Sequence, residues 1–137
     1  MITLKREDYE TILAHARACL PEEACGLLGG VIDQTGNKRV EKVYLLENTD
    51  HSSEHFTLSP QAQLAAVKDM RANGCTPLGN WHSHPSSPSR PSQEDKRLAF
   101  DSKASYMILS LQDGDAPVLH SFHIEGGMAE QEELVYV

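Results

Sequence analysis

The sequence has little of what would place it outside the ordinary globular proteins. Its three cysteines are odd in number and form no CxxC pair, which argues against a disulfide framework and indicates a reducing, cytoplasmic compartment. The 12 basic residues are outnumbered by 20 acidic ones, for a net charge of −8, which argues against a nucleic-acid partner because phosphate contacts need clustered Lys and Arg. No apolar run reaches the roughly 20 residues of a membrane span, and neither a membrane partner nor a signal peptide is expected.

The residues that are present fit a folded protein with a packed core. The chain has 137 residues, of which 39 % are hydrophobic and 23 % are charged, a balance typical of globular domains. This length fits one domain, 1–137, and leaves no room for a second. We find no internal repeat, linker or low-complexity tract, and no oligomer interface is recognisable in the sequence.

Hydrophobic periodicity predicts three helices. Apolar residues recur at three- and four-residue steps between Glu7 and Cys19, the pattern of an amphipathic helix, and Pro21 ends it. Ser59-Pro60 suits the cap and first position of a second helix. This second helix is predicted to direct three apolar residues inward: Leu64, Val67 and Met70. A third helix is predicted from Ser92 to about residue 101.

Short apolar or alternating segments predict the strands. They lie at 2–4, 23–32, 40–46, 56–58, 77–81, 106–111, 118–124 and 128–137, with a hairpin turn at 34–37. Strands and helices are interleaved, with several hairpins besides. The predicted fold is therefore α/β, a single-domain mixed β-sheet flanked by helices.

Two histidines, His82 and His84, stand at the end of the strand predicted at 77–81. Residues two apart on an extended segment point to the same side, so both imidazoles can reach one metal ion. Imidazole is a natural zinc ligand, and a catalytic zinc site has three protein ligands with a fourth position left for water. A pair of this kind also occurs by chance among solvated loop histidines, so alone it leaves both interpretations open.

Two acidic segments complete the candidate site. Ser92-Gln93-Glu94-Asp95 follows His84 with seven residues between them. It has the form of a helix-capping box, which needs no function, although Asp95 at a helix start could cap and bind a metal at once. Glu23, at the junction between the first helix and the next strand, is either a solvated surface residue or the carboxylate that general-base hydrolysis requires.

Together these segments resemble the JAMM (MPN-plus) metalloprotease motif: Glu23, then His82-Ser83-His84-Pro85, then Ser92-Gln93-Glu94-Asp95. The spacing of the second half agrees residue for residue, and the resemblance extends over essentially the whole chain. It implies a JAMM/MPN fold with a cytidine-deaminase-like core. It also implies one Zn²⁺ per chain bound by His82, His84 and Asp95. Glu23 would be the general base that activates water and later returns the proton to the leaving amine, and Ser92 would hydrogen-bond the developing oxyanion or the water.

The chain is compact, with a short stretch between His84 and Ser92, and so looks like the small prokaryotic branch of that family. This resemblance implies hydrolysis of an amide or isopeptide bond after the C-terminal Gly-Gly of a ubiquitin-like or sulfur-carrier protein. Two alternatives stay open: a non-catalytic MPN-type binding or scaffold module, and a small-molecule zinc amidase on the same core. The loops at 48–54 and 86–91 are candidates for segments that cover the site.

Overall fold

Eight strands and three helices follow one another along the chain in the computed structural model, which describes residues 1–137. The helices are α1 (Arg6–Cys19), α2 (Pro60–Ala72) and α3 (Gln93–Leu98). The strands are β1 (Ile2–Leu4), β2 (Cys25–Ile32), β3 (Lys38–Leu46), β4 (Thr76–His84), β5 (Ser105–Ser110), β6 (Val118–Glu125), β7 (Met128–Glu132) and β8 (Leu134–Tyr136).

All eight strands form one mixed sheet in the order β7-β6-β5-β4-β2-β3-β1-β8. The pairs β4–β5, β1–β3 and β1–β8 are parallel, and the others are antiparallel. Only Glu133 separates β7 from β8, yet these strands pair at opposite edges of the sheet. One residue spans about 3.8 Å, so the sheet must curl until its two edges meet. The predicted mixed sheet with flanking helices is confirmed.

The two faces of β4 carry different side chains because alternate residues of a strand point in opposite directions. Trp81 points towards α1 and is fully buried in the main core with Ile12 and Leu28. The Trp81 indole donates to the carbonyl of Tyr44 at 3.0 Å, and a Cβ at Gly26 would collide with both groups. The opposite face of β4, which carries His82, is covered by α2 and α3.

Several predicted elements have different bounds in the structure. Segment 56–58 is irregular rather than a strand, because the Thr57 backbone bonds to the side chain of Asn48 at 3.2 Å and the backbone of Thr49 at 3.0 Å. The closing segment forms two strands on opposite edges instead of one. The third helix is only six residues long.

The prediction that Leu64 points inward is wrong. Met70 packs against Gly29 of β2, and Ala66, four residues earlier, is buried beside it. These two residues define the contact face of α2. Leu64 lies two residues from Ala66, about 200° around the helix axis, and is 56 % exposed. The predicted Ser59 cap is confirmed, since its hydroxyl accepts from the Ala62 N–H at 3.0 Å.

No helix in the chain combines the length with the apolar character that a bilayer crossing requires.

Candidate active site

The two histidines lie inside β4 rather than beyond its end, because β4 continues to His84. Their side chains project from the same face of the sheet, as the extended spacing predicts. Their Nε2 atoms are 3.1 Å apart. Both rings are almost entirely buried, with 3 % of His82 and 4 % of His84 exposed. A solvated pair of loop histidines is therefore excluded.

Asp95 reaches the same point from α3. Its Oδ2 atom lies 3.3 Å from Nε2 of His82 and 3.1 Å from Nε2 of His84. The capping box is also present: the Ser92 hydroxyl accepts from the Asp95 N–H at 3.0 Å, and Oδ2 accepts from the Ser92 N–H at 2.9 Å. The capping interpretation is therefore confirmed, and it is compatible with the metal interpretation. The oxygen that faces the imidazoles is the same one that caps the helix, so the cap fixes its position.

The neighbours of each imidazole set its orientation. Nδ1 of His84 donates to the carbonyl of Pro88 at 2.9 Å, which places the proton on Nδ1 and leaves the Nε2 lone pair facing the cluster. This is the arrangement that commonly supports a metal-bound histidine. The ring of His82 stacks on Phe56 with centroids 4.7 Å apart. The buried Nδ1 atom of His82 has no hydrogen-bond partner.

The ligand atoms of His82, His84 and Asp95 fit a metal ion. The three atoms converge on one point, and each can offer a lone pair to a cation there: Oδ2 of Asp95, Nε2 of His84, and Nε2 of His82 when that ring carries its proton on Nδ1. Ligands at 2.0–2.1 Å from a tetrahedral zinc ion lie roughly 3.3 Å from one another, close to the observed separations of 3.1 to 3.3 Å. The three side chains form a site that can hold a metal ion.

The electrostatics of the three groups also suit a cation. Burial acts to raise the pKa of Asp95, but hydrogen bonds to His82 and His84 outweigh it and hold that pKa well below its usual range. Burial lowers the pKa of His82. For His84, burial also acts to lower the pKa, but the contacts with Asp95 and Pro88 raise it overall. Asp95 is therefore a carboxylate at neutral pH, and His82 is neutral.

Glu23 lies beside this cluster because of the register between β2 and β4. Cys25 pairs with His82. The next step brings Ala24 opposite Ser83, with the Ser83 N–H donating to the Ala24 carbonyl at 2.9 Å. Continued by one residue, the antiparallel pattern sets Glu23 next to His84. Glu23 is only 4 % exposed, and burial raises its pKa to about 8, with His84 acting in the opposite direction.

Two residues that position Glu23 are not identified from the sequence. The Ser83 hydroxyl accepts from the Ala24 N–H at 2.8 Å, which ties β2 to β4 one residue from Glu23. Asn48 donates to the Glu23 carbonyl at 3.1 Å and to the His55 carbonyl at 3.0 Å. In the sequence, Ser83 stands between the two histidines and Asn48 begins a polar segment, so neither position indicates a role in holding Glu23. A serine in a fully buried strand is the one signal that could have pointed to Ser83.

Comparison with known proteins finds a matching protein family and two related peptidases. The family described as prokaryotic homologs of the JAB domain matches residues 5–125. The CysO-cysteine peptidase of Mycobacterium tuberculosis is 29 % identical over 132 residues, 96 % of this chain and 88 % of that protein. The probable TtuB-protein conjugate cleaving protease of Thermus thermophilus is 33 % identical over 91 residues, 66 % of this chain and 57 % of that protein.

The fold is also found in a solved structure. Protein DSY2949 from Desulfitobacterium hafniense, determined in solution, superposes with a TM-score of 0.92 at 54 % sequence identity. The match covers 100 % of this chain and 93 % of that protein. Together with the family match, this similarity confirms the fold that the motif implied.

Proposed function

The chain belongs to the family of prokaryotic homologs of the JAB domain, and from this premise we propose that it is a zinc metallopeptidase. Its reaction is the hydrolysis of an amide or isopeptide bond after the C-terminal Gly-Gly of a ubiquitin-like or sulfur-carrier protein. The names of two relatives support this substrate class, since one is a CysO-cysteine peptidase and the other a TtuB-protein conjugate cleaving protease. The activity is assigned to one domain, 1–137, and the free state of all three cysteines supports a cytoplasmic location.

The observation that carries the proposal is the convergence of three potential metal ligands beside the buried carboxyl group of Glu23. His82, His84 and Asp95 would hold one Zn²⁺ per chain, leaving a fourth position free. In such a site zinc supplies Lewis acidity, which lowers the pKa of water and polarises a carbonyl group. The short distances between the three ligand atoms support a single small ion rather than a larger, oxygen-ligated one.

Glu23 would act as the general base and then as the general acid. Its carboxylate takes a proton from the attacking water and delivers that proton to the amine that leaves. A carboxyl group with a pKa near the working pH performs both transfers well, and the burial that raises the pKa of Glu23 supports this double role. Asn48 and Ser83 hold the two polar groups of the peptide bond between Glu23 and Ala24, which supports a fixed position for Glu23 during the two transfers.

Ser92 would stabilise the oxyanion that forms at the scissile carbonyl. Its oxygen accepts from the Asp95 N–H, which leaves its own proton free to donate. A hydrogen bond of this kind that strengthens in the transition state lowers the barrier directly. Because the same interaction caps α3, Ser92 is held beside Asp95 before substrate binds.

The experiment is hydrolysis of a sulfur-carrier protein joined through its C-terminal Gly-Gly to a cysteine or a peptide. The reaction is followed by mass spectrometry with the zinc-loaded enzyme and with Glu23→Gln. We expect cleavage by the native chain and a fall in kcat of about 10²–10⁴-fold in the variant, the range for removal of a general acid–base group. The variant should keep one zinc per chain and the native thermal transition.

The outcomes separate the proposal from its alternatives. A native protein that binds zinc but cleaves no carrier conjugate, while releasing small amides, is a small-molecule amidase. A protein that binds the carrier without cleaving it is a binding module. Undiminished activity in Glu23→Gln shows that another group supplies the base.

A further inference from the structure

A cavity of about 240 Å³ adjoins the candidate metal centre on the side of His82. It lies over β4, β5 and β6, between α3 and the loop that precedes α2. Half of its lining residues are hydrophobic. The apolar walls include Phe56, Leu98, Tyr106, Ile108 and Ile124, and the mechanism proposed above uses none of these side chains.

One polar group in the lining lacks a partner. Asn80 precedes His82 by two residues on the same face of β4 and lines the cavity. Its Oδ1 atom is buried and accepts no hydrogen bond. Leaving a buried acceptor unpaired costs stability, so this oxygen is suited to a ligand that brings an N–H donor into an apolar site. An extended peptide, with a backbone N–H beside each side chain, has that chemistry.

The position of Glu23 determines which part of the substrate faces the cavity. Glu23 lies beside His84 at the end of β4, whereas the cavity extends along β4 from His82 back to Asn80 and over β5 and β6. The group that protonates the leaving amine must lie near that amine. The acyl part of the substrate, which is the carrier tail, therefore extends away from Glu23 and into the cavity.

The spacing along β4 identifies the tail residue. Asn80 and His82 are two residues apart on a strand, a distance of roughly 6.6 Å. An extended tail also advances about 3.3 Å per residue. A tail whose last glycine carbonyl lies at the metal centre therefore places the residue before Gly-Gly beside Asn80.

Resting on the proposed function, we propose that the cavity is a specificity subsite for an apolar side chain immediately before the Gly-Gly of the carrier. The Oδ1 atom of Asn80 accepts a backbone N–H of the same tail segment. The two glycines bridge the cavity and the metal centre without side chains of their own. The chain then distinguishes carriers by the residue before Gly-Gly, because the Gly-Gly itself is common to all such tails.

The first test varies the substrate. Carrier conjugates that differ only in the residue before Gly-Gly are compared by kcat/KM, with Leu, Ala and Asp at that position. We expect Leu to exceed Asp by about 100-fold, because a charged carboxylate is disfavoured beside the apolar walls and the acidic side chains of Glu94 and Asp95. Equal rates for all three conjugates overturn the subsite, although the proposed function then stands. No cleavage of any conjugate by the zinc-loaded native chain overturns the proposed function itself.

The second test changes the cavity wall and uses a matched control. Leu98 and Leu64 are 57 % and 56 % exposed and both lie on helices, but only Leu98 lines the cavity. Leu98→Lys should reduce the Leu-over-Asp preference about fivefold, from about 100-fold to about 20-fold, by giving the Asp side chain a countercharge. Leu64→Lys should keep the native preference. Zinc content is measured for both variants, and identical preferences in the two variants contradict the assignment.

The third test addresses Asn80 directly. Asn80→Leu keeps the approximate size of the side chain and removes the acceptor. We expect KM for the Leu conjugate to rise about fivefold, the effect of one hydrogen bond, with kcat and zinc content unchanged. A fall in kcat at constant KM would place Asn80 in the chemistry instead, and an unchanged KM removes it from substrate binding.

Discussion

Two clusters in this chain combine histidine with a largely buried carboxylate, and their contacts differ. In the cluster of His82, His84 and Asp95, three potential ligand atoms converge at 3.1 to 3.3 Å from one another. In the other cluster, one oxygen of Glu132 accepts from the Ser121 hydroxyl at 2.8 Å, and the second lies 2.9 Å from Nε2 of His123. Each carboxylate oxygen of Glu132 therefore has its own partner.

The Glu132 cluster also includes the Lys38 ammonium group, which has three hydrogen-bond acceptors within the protein. Lys38 is only 7 % exposed, and its ammonium group donates to the carbonyls of Leu78 and Lys103 and to the Ser105 hydroxyl. Its charge also faces Glu132. Every charge here is matched within the protein, so the cluster needs no ligand.

The difference shows how a ligand site can be told from a structural polar cluster. Both contain histidine and a carboxylate, so composition does not separate them. The arrangement does, because three atoms that can bind a metal meet at one point in the first cluster, whereas each carboxylate oxygen of the second has its own partner in the protein. The first arrangement suits a cation from outside, and the second fixes the curled sheet at the point where β7 closes it.

The largest expected effect comes from removing one proposed metal ligand, the carboxylate of Asp95. Asp95→Ala should reduce bound zinc, measured by elemental analysis after dialysis, from about one per chain to none, and should abolish hydrolysis. Zinc should stabilise the native chain by about 4 kcal/mol when present at 1,000 times its Kd, seen as a higher Tm. The variant should show no shift with added zinc. A native chain that takes up no zinc, even after reconstitution, contradicts the metal site.

The first of these clusters could be predicted from the sequence, and the second could not. His82, His84 and Asp95 could be predicted as ligands because their spacing matches a metal-binding motif, and the β4 strand and the α3 cap produce that spacing locally. Glu23 was predicted from the family resemblance, and it reaches the cluster only through the pairing of β2 with β4. The Glu132 cluster was not predicted, because its members follow no recognisable spacing: Ser121, His123 and Glu132 lie on the paired strands β6 and β7, and Lys38 comes from β3. The segment 128–137 was predicted as one strand because local alternation does not reveal that its halves pair with opposite edges of the sheet.

The second prediction concerns the Glu132 cluster and expects the opposite pattern: lower stability with unchanged zinc content. Glu132→Ala leaves the buried Ser121 hydroxyl without its acceptor and removes the carboxylate near Lys38 and His123. It should lower the free energy of unfolding by about 2 kcal/mol, the cost of leaving a buried polar group unpaired. Chemical denaturation measures this change. Zinc content should stay at the native value wherever the variant is folded. Loss of zinc from folded Glu132→Ala would show that the two clusters are coupled.

The third prediction tests the residue that serves both the helix cap and the proposed chemistry. Ser92→Ala removes the cap acceptor and should cost about 1 kcal/mol of stability. Its kcat should fall by about 100-fold if the hydroxyl donates to the oxyanion. Ser92→Asp provides the comparison, because it restores a capping acceptor without a donor proton. Stability should recover in Ser92→Asp while kcat stays low, and recovery of both would reduce Ser92 to a cap.

The smallest effect is expected from the packing around the first cluster. Phe56 stacks on His82, whose Nδ1 has no hydrogen-bond partner, so the ring is oriented by this contact rather than by a second hydrogen bond of the kind that fixes His84. Phe56→Leu keeps an apolar neighbour and loses the stacking, worth about 1 kcal/mol. The zinc Kd should therefore rise about fivefold, measured by competition with a chelator. His123→Gln, at the Glu132 cluster, should leave that Kd unchanged. Equal shifts in both variants would mean that general stability controls zinc affinity, whereas a shift confined to Phe56→Leu assigns the orientation of His82 to stacking.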